Sequence, residues 1–281
     1  MKAEVSKRIL RNTVLCTAFF VVSIQATLAC TRALWNDNKL AVVVGRTMDW
    51  PESTQPILTV FPQGMQRDGS KIGPQVVVAD NPARWTSKYG SVVTTVYGIG
   101  TADGVNEKGV AMHMLYLTAT DFGPRDTTKA GVQAGLWGQY LLDNAKSVAE
   151  ALELMKAIQP VMVEAHGSKA TVHLAIEDAT GDSAIIEYIG GKPVIHHGRQ
   201  YHVMTNDPTY DEQLTNLARY DFTNATRQTA LPGNVDPRDR FVRAAYYLQM
   251  LPEPKSEREA MAGILAIARN ASVPFGAPNN L

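Results

Sequence analysis

The chain has 281 residues, 45% of them hydrophobic and 19% charged, and its formal net charge at neutral pH is zero. That is enough apolar material for a sizeable core, in one large domain or two small ones. No basic run exceeds two residues and there is no sustained acidic tract, so nucleic-acid binding lacks its electrostatic footprint and a small-molecule partner is expected instead.

At the start of the chain, Lys2, Lys7, Arg8 and Arg11 precede an apolar stretch over residues 14–24, and Thr27-Leu28-Ala29 offers small residues ahead of Cys30. This is the layout of a cleaved signal peptide over residues 1–29, and it predicts a periplasmic or secreted protein. The apolar stretch falls short of the roughly 20 residues that span a bilayer, and no later segment is long and apolar enough, so no stable membrane insertion is expected after cleavage. Cys16 leaves with the leader. Cys30 then becomes the first residue and the single cysteine, unable to form an internal disulfide. The leader carries four basic residues and one acidic, so what remains has a formal charge of about −3.

Residues 40–45, 57–61, 76–79, 92–97 and 109–117 are short runs of strand-forming residues punctuated by glycine and proline. After Gly131 the period changes. Residues 133–144 and 147–158 read as helices, the second opened by a Ser147/Glu150 capping box and stopped by Pro160. Residues 172–177, 184–189 and 193–197 are strands joined by tight turns at 180–182 and at Gly190-Gly191, an antiparallel meander. Residues 201–205 form another strand. The end is helical over 238–251 and 256–271, the latter opened by Ser256 and Glu259. Blocks of strands and blocks of helices predict an α+β fold with segregated helices, not βαβ alternation.

A thiol is a strong nucleophile once deprotonated, but its free pKa is about 8.5, so it needs a base. A cysteine at the N-terminus carries one on its own Cα, an α-amine with a reference pKa of about 7.7–8.0. Nucleophile and base then share one residue, and the site exists only after cleavage. A second reading competes: a cysteine following a leader is also where a lipid is attached, which would make the chain a lipid-anchored envelope binding protein without catalysis. Lipidation would block the amine.

Fifteen residues beyond Cys30 begins Gly45-Arg46-Thr47-Met48-Asp49-Trp50. Here the sequence resembles the choloylglycine hydrolase and penicillin V acylase family of N-terminal-nucleophile hydrolases, in its Gram-negative branch. The resemblance rests on Cys30-Thr31, on Arg46 with Asp49, on the turn Gly104 to Gly109, on Met204-Thr205-Asn206-Asp207-Pro208, and on Leu231-Pro232-Gly233 followed by Asp239-Arg240-Phe241-Val242-Arg243-Ala244. These five motifs occur in order along nearly the whole chain after the leader.

The resemblance implies a fold, a catalytic set and a substrate class. Residues 30–281 would form one domain, a four-layer αββα sandwich. Cys30 would be nucleophile and, through its amine, base. By the same resemblance Asp49 orients the amine, Arg46 favours the thiolate, Asn206 donates to the oxyanion, and Arg240 completes the charged floor. Tyr116 stands where bile salt hydrolases have asparagine, as it does in penicillin V acylases. Trp50 and Trp85 would shape an aromatic acyl pocket. The implied substrate is a small acyl amide such as penicillin V, a conjugated bile salt or an acyl-homoserine lactone, with no cofactor and no metal, and the implied assembly is a homotetramer. Family members continue past the segment that resembles residues 272–278, so the second sheet is expected to be short of its last strands. Other hydrolase signatures are missing: there is no G-x-S-x-G elbow, no HExxH, and His196-His197 would point to opposite faces of a strand.

Overall fold

Two five-residue strands, β1 (Thr31–Trp35) and β2 (Val43–Thr47), pair antiparallel at the start of the described chain. In this computed structural model residues 30–98, 100–165, 168–226 and 228–274 are described; the leader assigned to residues 1–29 lies outside them, as does the stretch from residue 275. Seven further strands zip together in the order in which they occur, each antiparallel to the last: β3 (Ile57–Phe61), β4 (Ser91–Val96), β5 (Gly100–Asn106), β6 (Ala111–Tyr116), β7 (Val172–Glu177), β8 (Ser183–Ile189) and β9 (Lys192–His197). A last strand, β10 (Val203–Thr205), returns to the free side of β1, so the smaller sheet runs β10-β1-β2.

Because side chains alternate along a strand, each central strand feeds two layers. On β6, Met112 and Met114 join one apolar cluster while Leu115 joins another. On β7 and β8, Leu174, Ile176, Ala184 and Ile186 face the first cluster, and Ala175 and Ile185 the second. The first cluster is closed by α1 (Trp137–Asn144) and α2 (Val148–Leu154), of which α1 packs on β5 and β6. The second lies between the sheets and extends through the smaller one to the closing helices. There α3 (Tyr210–Leu217) packs on α4 (Pro237–Met250), and α4 and α5 (Glu257–Ala271) cover β1, β2 and β10. Helices, small sheet, large sheet, helices: the expected α+β, αββα order holds.

The predicted strands at 57–61 and 172–177 are found at those bounds, and the meander through β7, β8 and β9 is as read. The Ser147 and Ser256 caps each accept from the backbone three residues on, at 3.2 and 3.3 Å. Two expectations fail and two elements were not foreseen, each for an identifiable reason. β5, Gly100–Asn106, is turn-like in composition yet becomes a strand because both neighbours pair with it. Gly104 permits this: a Cβ there would meet Val93 Cγ1 at 2.5 Å and the Val92 carbonyl at 2.9 Å. Residues 76–79 contribute only the end of a two-residue strand, Gln75–Val76. The helix from 148 ends at Leu154, and the chain passes through a 3₁₀ turn into Ile158–Val161, which pairs in parallel with Ala130–Gln133, so Pro160 lies within a strand rather than at a helix stop. α3 was not anticipated, although Thr209 and Glu212 form its capping box.

Candidate active site

The start of β1, the exit of β10 and the first turns of α4 converge on Cys30. Cys30 N–H donates to Asn206 Oδ1 at 2.5 Å, and Asn206 Nδ2 donates to the carbonyl of Tyr116 at 2.9 Å. From α4, Arg240 reaches under both. One of its amino groups donates to the Cys30 carbonyl and to Thr31 Oγ1, each at 2.5 Å, and the other to Asn206 Oδ1 at 3.1 Å. Its Nε donates to the Val235 carbonyl at the mouth of its own helix. Thr31 is paired with Thr47 on one side and Thr205 on the other, which fixes the backbone on which Cys30 stands.

Cys30, Asn206 and Arg240 are all buried. Burial drags the Arg240 guanidinium down to about 10, opposed by the charges of Cys30 and Asp49, so it stays cationic at neutral pH. Burial pushes the Asp49 carboxyl above its usual range, against Thr47, the Val273 N–H, Arg240 and Arg46. Asp49 Oδ1 accepts from Val273 N–H at 3.1 Å, so this carboxylate ties the segment after β2 to the residue beyond α5.

Cys30 opens onto a cavity of about 980 Å³ that is mostly apolar in lining. Arg46, Trp50 and Tyr116 share its wall with Cys30. Trp50 and Tyr116 meet edge to face, ring centres 6.2 Å apart. Trp50 Nε1 donates to the hydroxyl of Tyr97, which donates in turn to Glu52. Tyr97, also on the wall, was missed by sequence reasoning; it sits at a left-handed turn (φ 53°) immediately before Gly98. Trp85 is not among the residues lining this cavity; it lies in the short strand Arg84–Thr86, packs edge to face on Tyr140 and donates to Asp143 at 2.7 Å, which ties it to α1.

The arrangement can expose one sulfur to a large apolar chamber while Asn206 and Arg240 hold the atoms behind it. Among the described residues no group of His, Cys, Asp and Glu is disposed to hold a metal ion, and no helix is long and apolar enough to cross a membrane.

Similarity to known proteins points the same way as this geometry. The family model of linear amide C–N hydrolases, choloylglycine hydrolase family, matches residues 30–281. "Penicillin V acylase" of Pectobacterium atrosepticum is 38% identical over 275 residues, covering 89% of this chain and 71% of that one. "Bile salt hydrolase/transferase" of Clostridium perfringens is 26% identical over 233 residues, covering 72% and 66%. The solved structure of penicillin V acylase from Agrobacterium tumefaciens superposes with a TM-score of 0.76 at 42% identity, over 88% of this chain and 74% of that one. A variant of the conjugated bile acid hydrolase of Clostridium perfringens, with a TM-score of 0.69 at 23% identity over 86% of this chain and 79% of that one, shares the fold.

Proposed function

From the premise that the chain belongs to the choloylglycine hydrolase family of linear amide C–N hydrolases, we propose that it hydrolyses small acylated amides through Cys30, freed as the N-terminus by removal of residues 1–29 on export. The observation that carries this reading is the position of Cys30 in the lining of the cavity, its nitrogen 2.5 Å from Asn206 Oδ1. Once terminal, that nitrogen takes the thiol proton. The sulfur attacks the acyl carbonyl carbon, and the tetrahedral oxyanion takes a hydrogen bond from the second Nδ2 hydrogen of Asn206, the first being held by Tyr116. The carbon–nitrogen bond breaks, the α-ammonium returns its proton to the leaving amine, and a thioester remains. Water, deprotonated by the same amine, hydrolyses it and regenerates the thiol. Arg46 on the wall favours the anionic sulfur, Asp49 orients the amine, and Arg240 secures the Cys30 carbonyl and Asn206 from behind.

The acyl group we assign is aromatic or a medium aliphatic chain, such as those of penicillin V and acyl-homoserine lactones, in preference to a conjugated steroid. Trp50 and Tyr116 make a flat edge-to-face wall, and stacking on such a wall adds about 0.5–1.5 kcal/mol beyond buried area. A tetramer in the periplasm or medium completes the proposal. The test is kcat/KM for penicillin V, a long-chain acyl-homoserine lactone and glycocholate, on protein whose first residue is shown by mass spectrometry to be Cys30. The first two are expected to win. Glycocholate ahead by about tenfold, or about 1.4 kcal/mol of transition-state binding, overturns the preference and leaves the amidase intact. A diacylglyceryl group on Cys30 of the exported protein overturns the mechanism.

A further inference from the structure

Between the two sheets lies a chain of five charged side chains, Arg32, His113 and Glu177 buried and Arg46 and Asp103 half-buried. Arg32 and Arg46 stand directly opposite each other across β1 and β2, a like-charge juxtaposition that is unfavourable by itself. The large sheet answers each with a carboxylate: Arg32 lies 2.5 Å from Glu177 Oε2, and Arg46 Nε 3.3 Å from Asp103 Oδ2. Between the carboxylates sits His113, cross-strand partner of Asp103. Its Nδ1 is 2.9 Å from Asp103 Oδ1 and its Nε2 is 2.6 Å from Glu177 Oε1. Both ring nitrogens facing carboxylates suits the imidazolium, in which both are donors. The signs then alternate from end to end.

Burying charge is expensive, and a set like this one often gains nothing over well-packed apolar residues. Of the five, only Arg46 reaches the cavity that Cys30 lines. Its Nε also faces the Thr47 carbonyl, and one amino group donates to the carbonyls of Ala102 and Met114, on the same strands that carry Asp103 and His113. We propose that Asp103 and His113 are positioning residues for Arg46: the large sheet clamps the guanidinium so that its charge is held at the mouth of the nucleophile, with Glu177 and Arg32 anchoring the far end. This rests on the reading in which Arg46 acts at the Cys30 thiol.

The test is a double-mutant cycle on protein beginning at Cys30, comparing wild type, Asp103→Asn, Arg46→Ala and the double variant at pH 7.5, with thermal melts alongside. Asp103→Asn keeps the shape and removes the charge. Its kcat is expected to fall about ten- to a hundredfold, with KM within about twofold, as for a group displaced by a fraction of an ångström. In the Arg46→Ala background the same substitution should cost nothing further. An unchanged kcat in Asp103→Asn, or an equal loss with and without Arg46, overturns the proposal, because a purely structural staple predicts no such dependence. If Asp103→Asn does not fold, His113→Gln carries the same cycle. The rate of Cys30 alkylation by iodoacetamide at pH 7.5 reads the cycle without substrate and where turnover is too slow to follow. An active Cys30→Ser enzyme would sink the nucleophile; additive effects alongside an inactive Cys30→Ser enzyme would sink only the clamp.

Discussion

The two faces of the large sheet's central strands, β6, β7 and β8, are both buried and differ in chemistry. Toward α1 and α2, strands β6, β7 and β8 present Met112, Leu174, Ile176 and Ile186 to Trp137, Leu141 and Leu142, a layer of carbon packed on carbon. Toward the small sheet the same strands present His113, His173, Glu177 and Glu187, buried just as completely. Every one of these polar groups has an ionisable partner there: His113 with Asp103 and Glu177, His173 with Glu187, Glu177 with Arg32. The outer layer contributes stability by area. The inner layer gains far less from burying charge, and it is the layer in which Cys30, Arg46 and Asn206 sit, with Arg240 reaching them from α4. Division of labour between a sheet's two faces explains how a rigid support and a polar site share the same seven strands.

Three perturbations sharpen that contrast. The largest effect belongs to the inner layer. Cys30→Ser should lower kcat on the order of a thousandfold or more while leaving the melting temperature near that of wild type, because a hydroxyl is a far weaker acid than a thiol and the same amine cannot activate it. Retention of most turnover on every acyl amide assayed would remove Cys30 from the chemistry. Next comes the outer layer. Trp137 is fully buried and packs edge to face on Phe122 and Tyr188. Trp137→Ala should cost about 3–5 kcal/mol in urea unfolding and leave kcat per folded molecule nearly unchanged, since Trp137 does not line the cavity. A large loss of kcat with full stability would mean the layers are not separable.

The smallest effect is on pH. Burial alone would lower the pKa of His113, but Asp103 and Glu177 outweigh it and raise it to about 9. An unfolded histidine titrates near about 6.5. The folded state therefore holds this proton more tightly, so the stabilisation is whole below about pH 6.5 and drains away as pH rises through about 9. The groups facing the ring are Asp103 from β5 and Glu177 from β7, with Arg46 and Arg32 behind them on the small sheet. Urea midpoints at pH 6.5 and 9.5 measure the loss, and His113→Gln should flatten it. Parallel curves for the two proteins would show that some other group controls this window.

Much of the architecture was legible in the chain. Short runs of strand-forming residues between turn residues located β3, β7, β8 and β9, and serine caps located α2 and α5, because these signals are local and arise within a few residues. A candidate set was legible as well, in part by chemistry, since a lone cysteine after a leader-like segment asks for a base, and in part by resemblance, and the fold brings Cys30 together with Arg46, Asn206 and Arg240. Other features were hidden for physical reasons. β5 reads as a turn and is made a strand by β4 and β6. Trp85, given a pocket role by the resemblance, donates to Asp143, a contact that no local pattern records. The alternation of His113, His173, Glu177 and Glu187 with apolar neighbours ordinarily means that the polar side faces water.

By itself, then, the sequence determined the periodicity of each segment, its caps and turns, and which residue could serve as nucleophile, since each depends on covalent structure and near neighbours along the chain. Only the tertiary structure decided that the polar side of the large sheet faces a second sheet instead of solvent, that Arg32 and Arg46 meet Glu177 and Asp103 there, and that Asn206 and Arg240 close on Cys30 from 176 and 210 residues away. The reason is physical. A charge is placed by whatever compensates its desolvation, and that partner comes from whichever strand or helix packs against it, at a separation along the chain that no local pattern records.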